Sequence, residues 1–428
     1  MTSQSSNRSC EKAGICGGCL YQGVPYALQL KQKEGEALAA LRAKGVEPLE
    51  YLGFEPAPEI ASYRNKMEYT FGDEVIGGPM TLGLHKKEHF MCIVDADDCR
   101  IVPEDFNRIV RATLAFCNEK GYGPYHKKRH TGLMRFLILR RGVHTGELLV
   151  NIVTTSEKGA TGEAAIPVLL NSKRASKRPV QLPDPASYEG ATIFDGEAYR
   201  DRILSLPLED RVVGILHTFC DSVADDVVPD RTEILFGRDF YNETVLGLRF
   251  RVSAYSFFQT SVPAAERLYR EAIALLSNIE GKRVFDLYCG TGTITQTLAK
   301  RAREAIGVEI ARDAVRAAGE SAAENGLTNC RFIEGDVLQV LDEAEKLGRP
   351  DVIVVDPPRS GIHPKAWQNI LNYGVKEILY ISCSPKSLAS NLEYVGHFGY
   401  CVSKLKLYDN FPFTRHCEAA CLLTRQGI

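Results

Sequence analysis

Beyond residue 264 the chain repeats one local grammar, and that repetition limits the fold more than any other feature. A helical pattern through Leu268 to Leu276 leads into a short apolar strand, Val284-Phe285-Asp286-Leu287, then a helix over about 293–302 and a strand at Ala305-Ile306-Gly307-Val308-Glu309. Strands at Val352-Ile353-Val354-Val355 and Ile378-Leu379-Tyr380-Ile381-Ser382 continue the series. Short apolar strands alternating with helices specify a parallel, doubly wound sheet, whose ligands lie at the carboxyl ends of the strands. The predicted class is α/β, with a Rossmann-like domain over 257–428. From about 54 to 256 the pattern changes to short strands broken by Gly, Pro and Asp, such as Phe136-Leu137-Ile138-Leu139 and Leu148-Leu149-Val150-Asn151-Ile152-Val153, which predicts a β-rich central domain. Residues 22–45 carry Leu30, Ala37, Leu38 and Leu41 at near-helical spacing and predict one amphipathic helix.

The 428 residues carry a net charge of −2, so no global field draws the protein to a polyanion or an anionic membrane. Contacts with nucleic acid must come from local patches. The start of the chain does not read as a leader, and no apolar run approaches ~18 residues, so the expected location is the cytoplasm. Thirteen cysteines, an odd number spread along a long chain, argue against a disulfide framework and for reduced thiols or metal ligands.

Three of them fall within ten residues, Cys10, Cys16 and Cys19, as C-x5-C-G-G-C. Glycines between thiols let several sulfurs converge on one centre. Of the downstream candidates for a fourth ligand, Cys92 opens an apolar run whereas Cys99 ends an acidic turn, and Cys99 is favoured. Spacing alone leaves zinc and an iron–sulfur cluster both open.

Asp286-Leu287-Tyr288-Cys289-Gly290-Thr291-Gly292 closes a strand and opens a helix, where backbone can approach a ligand closely. Glu309 ends the next strand, the place from which a carboxylate grips ribose hydroxyls. A dinucleotide site would carry a third glycine where this chain has Thr295. S-adenosylmethionine, which has no pyrophosphate, fits better, with Asp336 placed to meet its adenine. Asp356-Pro357-Pro358-Arg359 follows a buried strand as a rigid loop beside the expected methyl donor. One strand later, Ser382-Cys383-Ser384-Pro385 puts a thiol on a tight turn at the same sheet edge. A thiol there suits alkylation of a pyrimidine carbon: C5 of uracil becomes nucleophilic only after something adds to C6. A base must then remove the C5 proton, and Glu418, in Arg415-His416-Cys417-Glu418, is the candidate.

With these residues the chain resembles the RNA uracil-C5 methyltransferases, in particular the branch that carries a [4Fe-4S] cluster and modifies 23S ribosomal RNA. The likeness runs from Cys10 to the end. It includes Tyr63-Arg64-Asn65-Lys66, Phe257-Phe258-Gln259-Thr260 and His416-x-Glu418 besides the motifs above. The resemblance implies a class I methyltransferase domain, Cys383 as nucleophile and Glu418 as base. It implies that Gln259, Tyr288, Thr293, Glu309, Asp336 and Asp356 line the methyl donor, and that Cys10, Cys16, Cys19 and Cys99 hold the cluster. It also implies that the segment 22–53 packs on the methyltransferase domain, while 1–21 joins the RNA-binding domain of 54–256. Larger members carry an additional N-terminal β-barrel, which nine residues before Cys10 cannot encode. Ser261, Thr293 and Ser384 stand where the family commonly has Asn.

For RNA contact, residues 126–141 contain Lys127, Lys128, Arg129, Arg135, Arg140 and Arg141 without an acid, and Lys173, Arg174, Lys177 and Arg178 form a second cluster. The target uridine should be single-stranded or flipped out. The competing readings are a tRNA uridine C5 methyltransferase, a cytosine-C5 RNA methyltransferase, which would place its cysteine where Arg359 stands, and a catalytically inactive iron–sulfur RNA-binding protein.

Overall fold

A computed structural model describes residues 10–75, 77–172, 181–342 and 348–427, and divides the chain into two compact units. The first comprises 1–23, 61–243 and 252–255, and the second 24–60, 244–251 and 256–428. No helix among the described residues is long and apolar enough to cross a membrane.

The first unit is built on a seven-stranded sheet in the order His89–Asp95, Met80–Lys86, Lys66–Asp73, Met134–Gly142, Glu147–Thr154, Arg211–Phe219, Arg231–Gly237. Its pairs are antiparallel except that Glu147–Thr154 and Arg211–Phe219 run parallel. Two amphipathic helices accompany it, Glu104–Glu119 and Gly196–Leu204. The sequence reading did not include them, although Phe106, Ile109, Val110, Thr113, Phe116 and Cys117 are all buried at helical spacing. Phe116 packs against Tyr199, and the Thr113 and Tyr199 hydroxyls hydrogen-bond at 2.9 Å, joining the two helices.

The second unit holds an eight-stranded sheet: Glu50–Glu55, Tyr400–Tyr408, Glu418–Arg425, Glu377–Ser382, Val352–Val355, Arg283–Leu287, Glu304–Glu309, Cys330–Glu334. All its pairs are parallel except those of Glu418–Arg425, which runs against both neighbours. Ile353 and Val355 pack into a core with Trp367, Ile370, Leu388 and Leu41. Val352 and Val354 face a second core with Leu268, Ala272, Ile294 and Leu298. Covering both faces removes the strands from water, which is why they read as unbroken apolar runs. The segment 22–53 contributes helix Tyr26–Arg42 and also the edge strand Glu50–Glu55. That helix buries Gln29, Lys33, Ala37 and Leu41, so its inward stripe passes through two polar residues rather than through Leu30 as the spacing suggested.

Candidate active site

Strand Arg283–Leu287 pairs with Glu304–Glu309 on one side and Val352–Val355 on the other. Chain direction around the sheet reverses there, opening a crevice at the strand ends. Tyr288, just beyond the strand, holds φ +69, a left-handed conformation costly for a tyrosine. Its N–H and that of Cys289 both donate to the Val308 carbonyl, at 2.9 and 3.0 Å, which fixes the turn. Gly290 (φ +53) faces open space, whereas a Cβ on Gly292 (φ +79) would meet the Phe332 ring at 2.7 Å. One glycine leaves room for a ligand and the other lets helix Thr293–Ala299 approach the sheet.

Several of the residues expected at the donor are tied to these strand ends. The Gly290 N–H donates to Glu309 Oε2 at 3.1 Å, tying the acid at the end of the second strand to the glycine loop. Thr293 is the first residue of the helix, and Asp336, exposed, accepts the Leu338 N–H at 2.8 Å. Burial and the charge of Asp336 push the Tyr288 hydroxyl up to about 12. Gln259 Nε2 donates to the Tyr269 hydroxyl at 2.7 Å. Tyr269 was not singled out from the sequence, where it is one more large residue on a helical face. Its fully buried hydroxyl lies near Asp356, Glu418 and Asp286, whose charges add to burial in raising it.

Strand register brings the two reacting candidates together. Ser382 pairs with Ala419, so Cys383 leaves its strand beside Glu418, the first residue of the reversed strand. The Ser384 N–H donates to Ser382 Oγ at 3.1 Å, and Ser384 caps helix Pro385–Leu392, which makes the tight turn around the thiol. Asp356 follows Val355, which pairs with Leu287 and Tyr380 on its two sides.

The electrostatics are those of crowded, desolvated acids. Burial, then the charge of Asp356, pushes Glu418 up to about 8, against the pull of Arg359. Burial and Asp286 push Asp356 up to about 7, and burial aided by Glu309 does the same to Asp286. Asp286 Oδ2 accepts the Thr295 hydroxyl at 2.6 Å, while Oδ1 is buried without a hydrogen-bond partner among the described residues. Burial raises the Cys383 thiol to about 11, with Glu418 and Asp356 adding to it and Arg359 opposing. Three carboxyls thus share one edge at a cost that an incoming cation would relieve.

In the first unit, Cys10, Cys16, Cys19 and Cys99 line one cavity with Leu84 and Ile101, and Cys92 is not part of its lining. Burial lifts Cys19 to about 12, with Cys99, Cys16 and Cys10 adding to it, and lifts Cys99 to about 11 against a hydrogen bond from the Ile101 backbone, with Cys16 and Cys10 adding; Arg64 opposes both. The Gly18 N–H donates to Cys16 Sγ at 3.4 Å. Among the described residues, no group of three or more His, Cys, Asp or Glu side chains converges as a ready metal site. The donor set is nevertheless one that suits a metal centre: four sulfurs border one space and the Gly18 N–H points at one of them, and a bound cation would favour their thiolate forms.

The basic run over 126–141 is corrected. Arg135 is buried and donates to the Cys220 and Ala224 carbonyls at 2.8 and 2.7 Å, and Arg140 is buried as well, because both lie inside strand Met134–Gly142. Arg141 is paired with Asp210 and Lys127 with Asp225, leaving Lys128 and Arg129 as the exposed cations of the run without such a pair among the described residues. Lys173, Arg174, Lys177 and Arg178 lie outside the described residues.

A family model described as tRNA (uracil-5-)-methyltransferase matches residues 229–426. The chain is 39% identical over 419 residues to an uncharacterized RNA methyltransferase of Clostridium acetobutylicum, spanning 98% of this chain and 84% of the relative. It is 42% identical over 418 residues to one of Caldanaerobacter subterraneus subsp. tengcongensis, spanning 97% and 84%. The solved structure of the Pyrococcus abyssi tRNA (uracil-54, C5)-methyltransferase with S-adenosyl-L-homocysteine matches 96% of this chain and 86% of its own at a TM-score of 0.70 and 24% identity, a likeness of fold.

Proposed function

The chain belongs to the tRNA (uracil-5-)-methyltransferase family of RNA methyltransferases and is an S-adenosylmethionine-dependent RNA uracil-5 methyltransferase; on that premise we propose that Cys383 and Glu418 carry its chemistry on a uridine of 23S ribosomal RNA. The observation that supports this most is the Ser382–Ala419 register, which sets a thiol and a buried acid side by side at the edge of the crevice. Cys383 Sγ adds to C6 of the uracil, and the ring electrons are delivered to C5. Bound S-adenosylmethionine supplies the electrophilic methyl group. Glu418 then takes the C5 proton, the C5–C6 double bond re-forms, and Cys383 departs as the thiolate. Gln259, Tyr288, Thr293, Glu309, Asp336 and Asp356 are proposed to line the methyl donor, and the unit with the seven-stranded sheet to grip RNA in the cytoplasm.

Cys10, Cys16, Cys19 and Cys99 would hold a [4Fe-4S] cluster, and this cysteine set is what favours ribosomal RNA. Protein purified without oxygen is expected to show broad visible absorption that a chelator and oxidant bleach; a colourless, zinc-loaded protein would refute the cluster. The reading of tRNA as substrate is favoured by the family model, described as tRNA (uracil-5-)-methyltransferase, that matches residues 229–426. Mass spectrometry of ribosomal and transfer RNA, with and without the gene, names base and RNA together. Loss of 5-methyluridine from transfer RNA alone would overturn the ribosomal assignment, and loss from neither would overturn the methylation of both.

A pH dependence follows from the crowded acids. A sulfonium favours ionised carboxylates, so its binding to protein in which Asp286 and Asp356 titrate at about 7 and Glu418 at about 8 should expel protons. Affinity for S-adenosylmethionine should therefore rise from pH 6 to about 9 and then level. Calorimetry in buffers of different ionisation heat reads the protons directly, and a flat profile with no proton release would show that these acids do not face the donor.

A further inference from the structure

We propose that Phe90, stacked on His85 and flanked by Lys127, is a base-stacking platform for a single-stranded segment of the RNA substrate. This rests on the RNA methyltransferase reading and adds a contact within the first unit. Phe90 is 64% exposed, the most water-facing phenylalanine of that unit, on the edge strand His89–Asp95. Its ring lies on the His85 imidazole with centroids 4.5 Å apart and planes 6° from parallel. The Lys127 ammonium sits 4.8 Å from the ring centroid.

The backbone is shaped to present this ring. Lys86 pairs with His89 across a two-residue turn, and Glu88 within it takes φ +64. The next pair is His85 with Ile93, so the register shifts and the residues between are thrown out of the ladder. Such irregularities re-aim side chains. The segment carrying Cys16 braces the tip from outside the ladder: the Gly17 N–H donates to the His85 carbonyl at 2.9 Å and the Lys87 N–H to the Ile15 carbonyl at 2.8 Å. The His85 ring is itself oriented by the Phe90 carbonyl, 2.8 Å from Nδ1.

An exposed, rigidly backed aromatic is poorly explained by core packing, since the outer strand end it occupies is open to water while Ile93 and Val94 are buried. The charge beside it identifies the occupant. Lys127 lies over the ring with its charge met by Asp225, which also faces His85 Nε2 at 3.5 Å, and the cations left for phosphate are Lys87, Lys128 and Arg129, exposed in the same two turns beside Glu88. A flat apolar face rimmed by cations fits a nucleobase with its phosphates, a combination that binds single strands without reading sequence.

The test is fluorescence anisotropy of the full chain with labelled oligouridylate and with a labelled RNA duplex. Phe90→Ala is expected to weaken oligouridylate binding roughly 5- to 100-fold while leaving duplex binding and S-adenosylmethionine affinity intact. Phe90→Trp should restore it, and Lys128→Ala should lower the salt dependence by about one phosphate contact. Equal affinity of wild type and Phe90→Ala, or equal loss for both RNAs, would overturn the platform. So would unchanged RNA affinity with a wild-type dimer that Phe90→Ala converts to monomer, since the ring would then be a protein contact. Cys383→Ala should bind oligouridylate normally, so a failure of the methylation chemistry and a failure of the platform give different results.

Discussion

Replacing Cys383 with alanine is expected to lower methyl transfer by ~10^4- to 10^6-fold, the scale of deleting a covalent nucleophile, with RNA and S-adenosylmethionine affinities retained. RNA containing 5-fluorouridine should trap the wild-type protein, because fluorine cannot leave C5 as a proton, and Cys383→Ala should give no band on a denaturing gel. Glu418→Gln should do the reverse on ordinary uridine: adduct forms, the C5 proton stays, and the band accumulates while turnover stops. With the thiol raised to about 11, very little of it is thiolate near neutral pH. Attack therefore depends on positive charge brought to the site, to which Arg359 already contributes. Undiminished trapping by Cys383→Ala would remove Cys383 as nucleophile, and normal turnover by Glu418→Gln would remove Glu418 as base.

Lys33→Met is expected to cost about 3–5 kcal/mol of stability, the usual cost of stranding one partner of a buried ion pair. Lys33 Nζ and Asp409 Oδ1 meet at 2.7 Å with neither side chain exposed. Asp409 also accepts the Tyr26 hydroxyl at 2.9 Å and the Phe411 N–H at 3.1 Å, and Lys33 donates to the Phe411 carbonyl at 3.1 Å. Gln29 Oε1 accepts the Phe413 N–H at 2.9 Å, where the backbone sits at φ +65. One helix face thus secures the loop that runs into Glu418. Urea unfolding reads the loss as a lower midpoint. Adding Asp409→Leu should recover part of it, as the stranded charge goes but the Tyr26 hydroxyl and Phe411 N–H lose their acceptor. An unshifted midpoint for Lys33→Met would show the pair to be energetically idle.

What the sequence disclosed depended on how local its signal was. Val352–Val355 and Glu377–Ser382 announce themselves because both faces of a parallel strand are buried. The reversal of Glu418–Arg425 is silent, since an apolar run looks alike in either direction. Cys383 and Glu418 could be picked from their short motifs, yet their proximity is a matter of register between strands. Periodicity placed helix Tyr26–Arg42 but misjudged its inward stripe, because Gln29 and Lys33 are buried to satisfy a distant loop. The run from Lys127 to Arg141 looked like a phosphate patch by charge count, which cannot tell an arginine in the middle of a buried strand from one on a loop. Phe90 passed unnoticed for the opposite reason: an aromatic in an apolar strand is ordinarily core.

The Lys33–Asp409 pair joins positions 376 residues apart, and strand Glu50–Glu55 finds its neighbour only in Tyr400–Tyr408. Contacts of such sequence separation form late and slowly. During synthesis, the early helix and strand must therefore wait through the emergence of nearly everything else, one with an unneutralised ammonium on its inward side and the other with its hydrogen-bonding edge unclaimed. Residues 61–243, emerging in between, have most of their sheet partners at hand. The nascent chain is thus most vulnerable to sticking to its neighbours after one half has folded and before the other can begin.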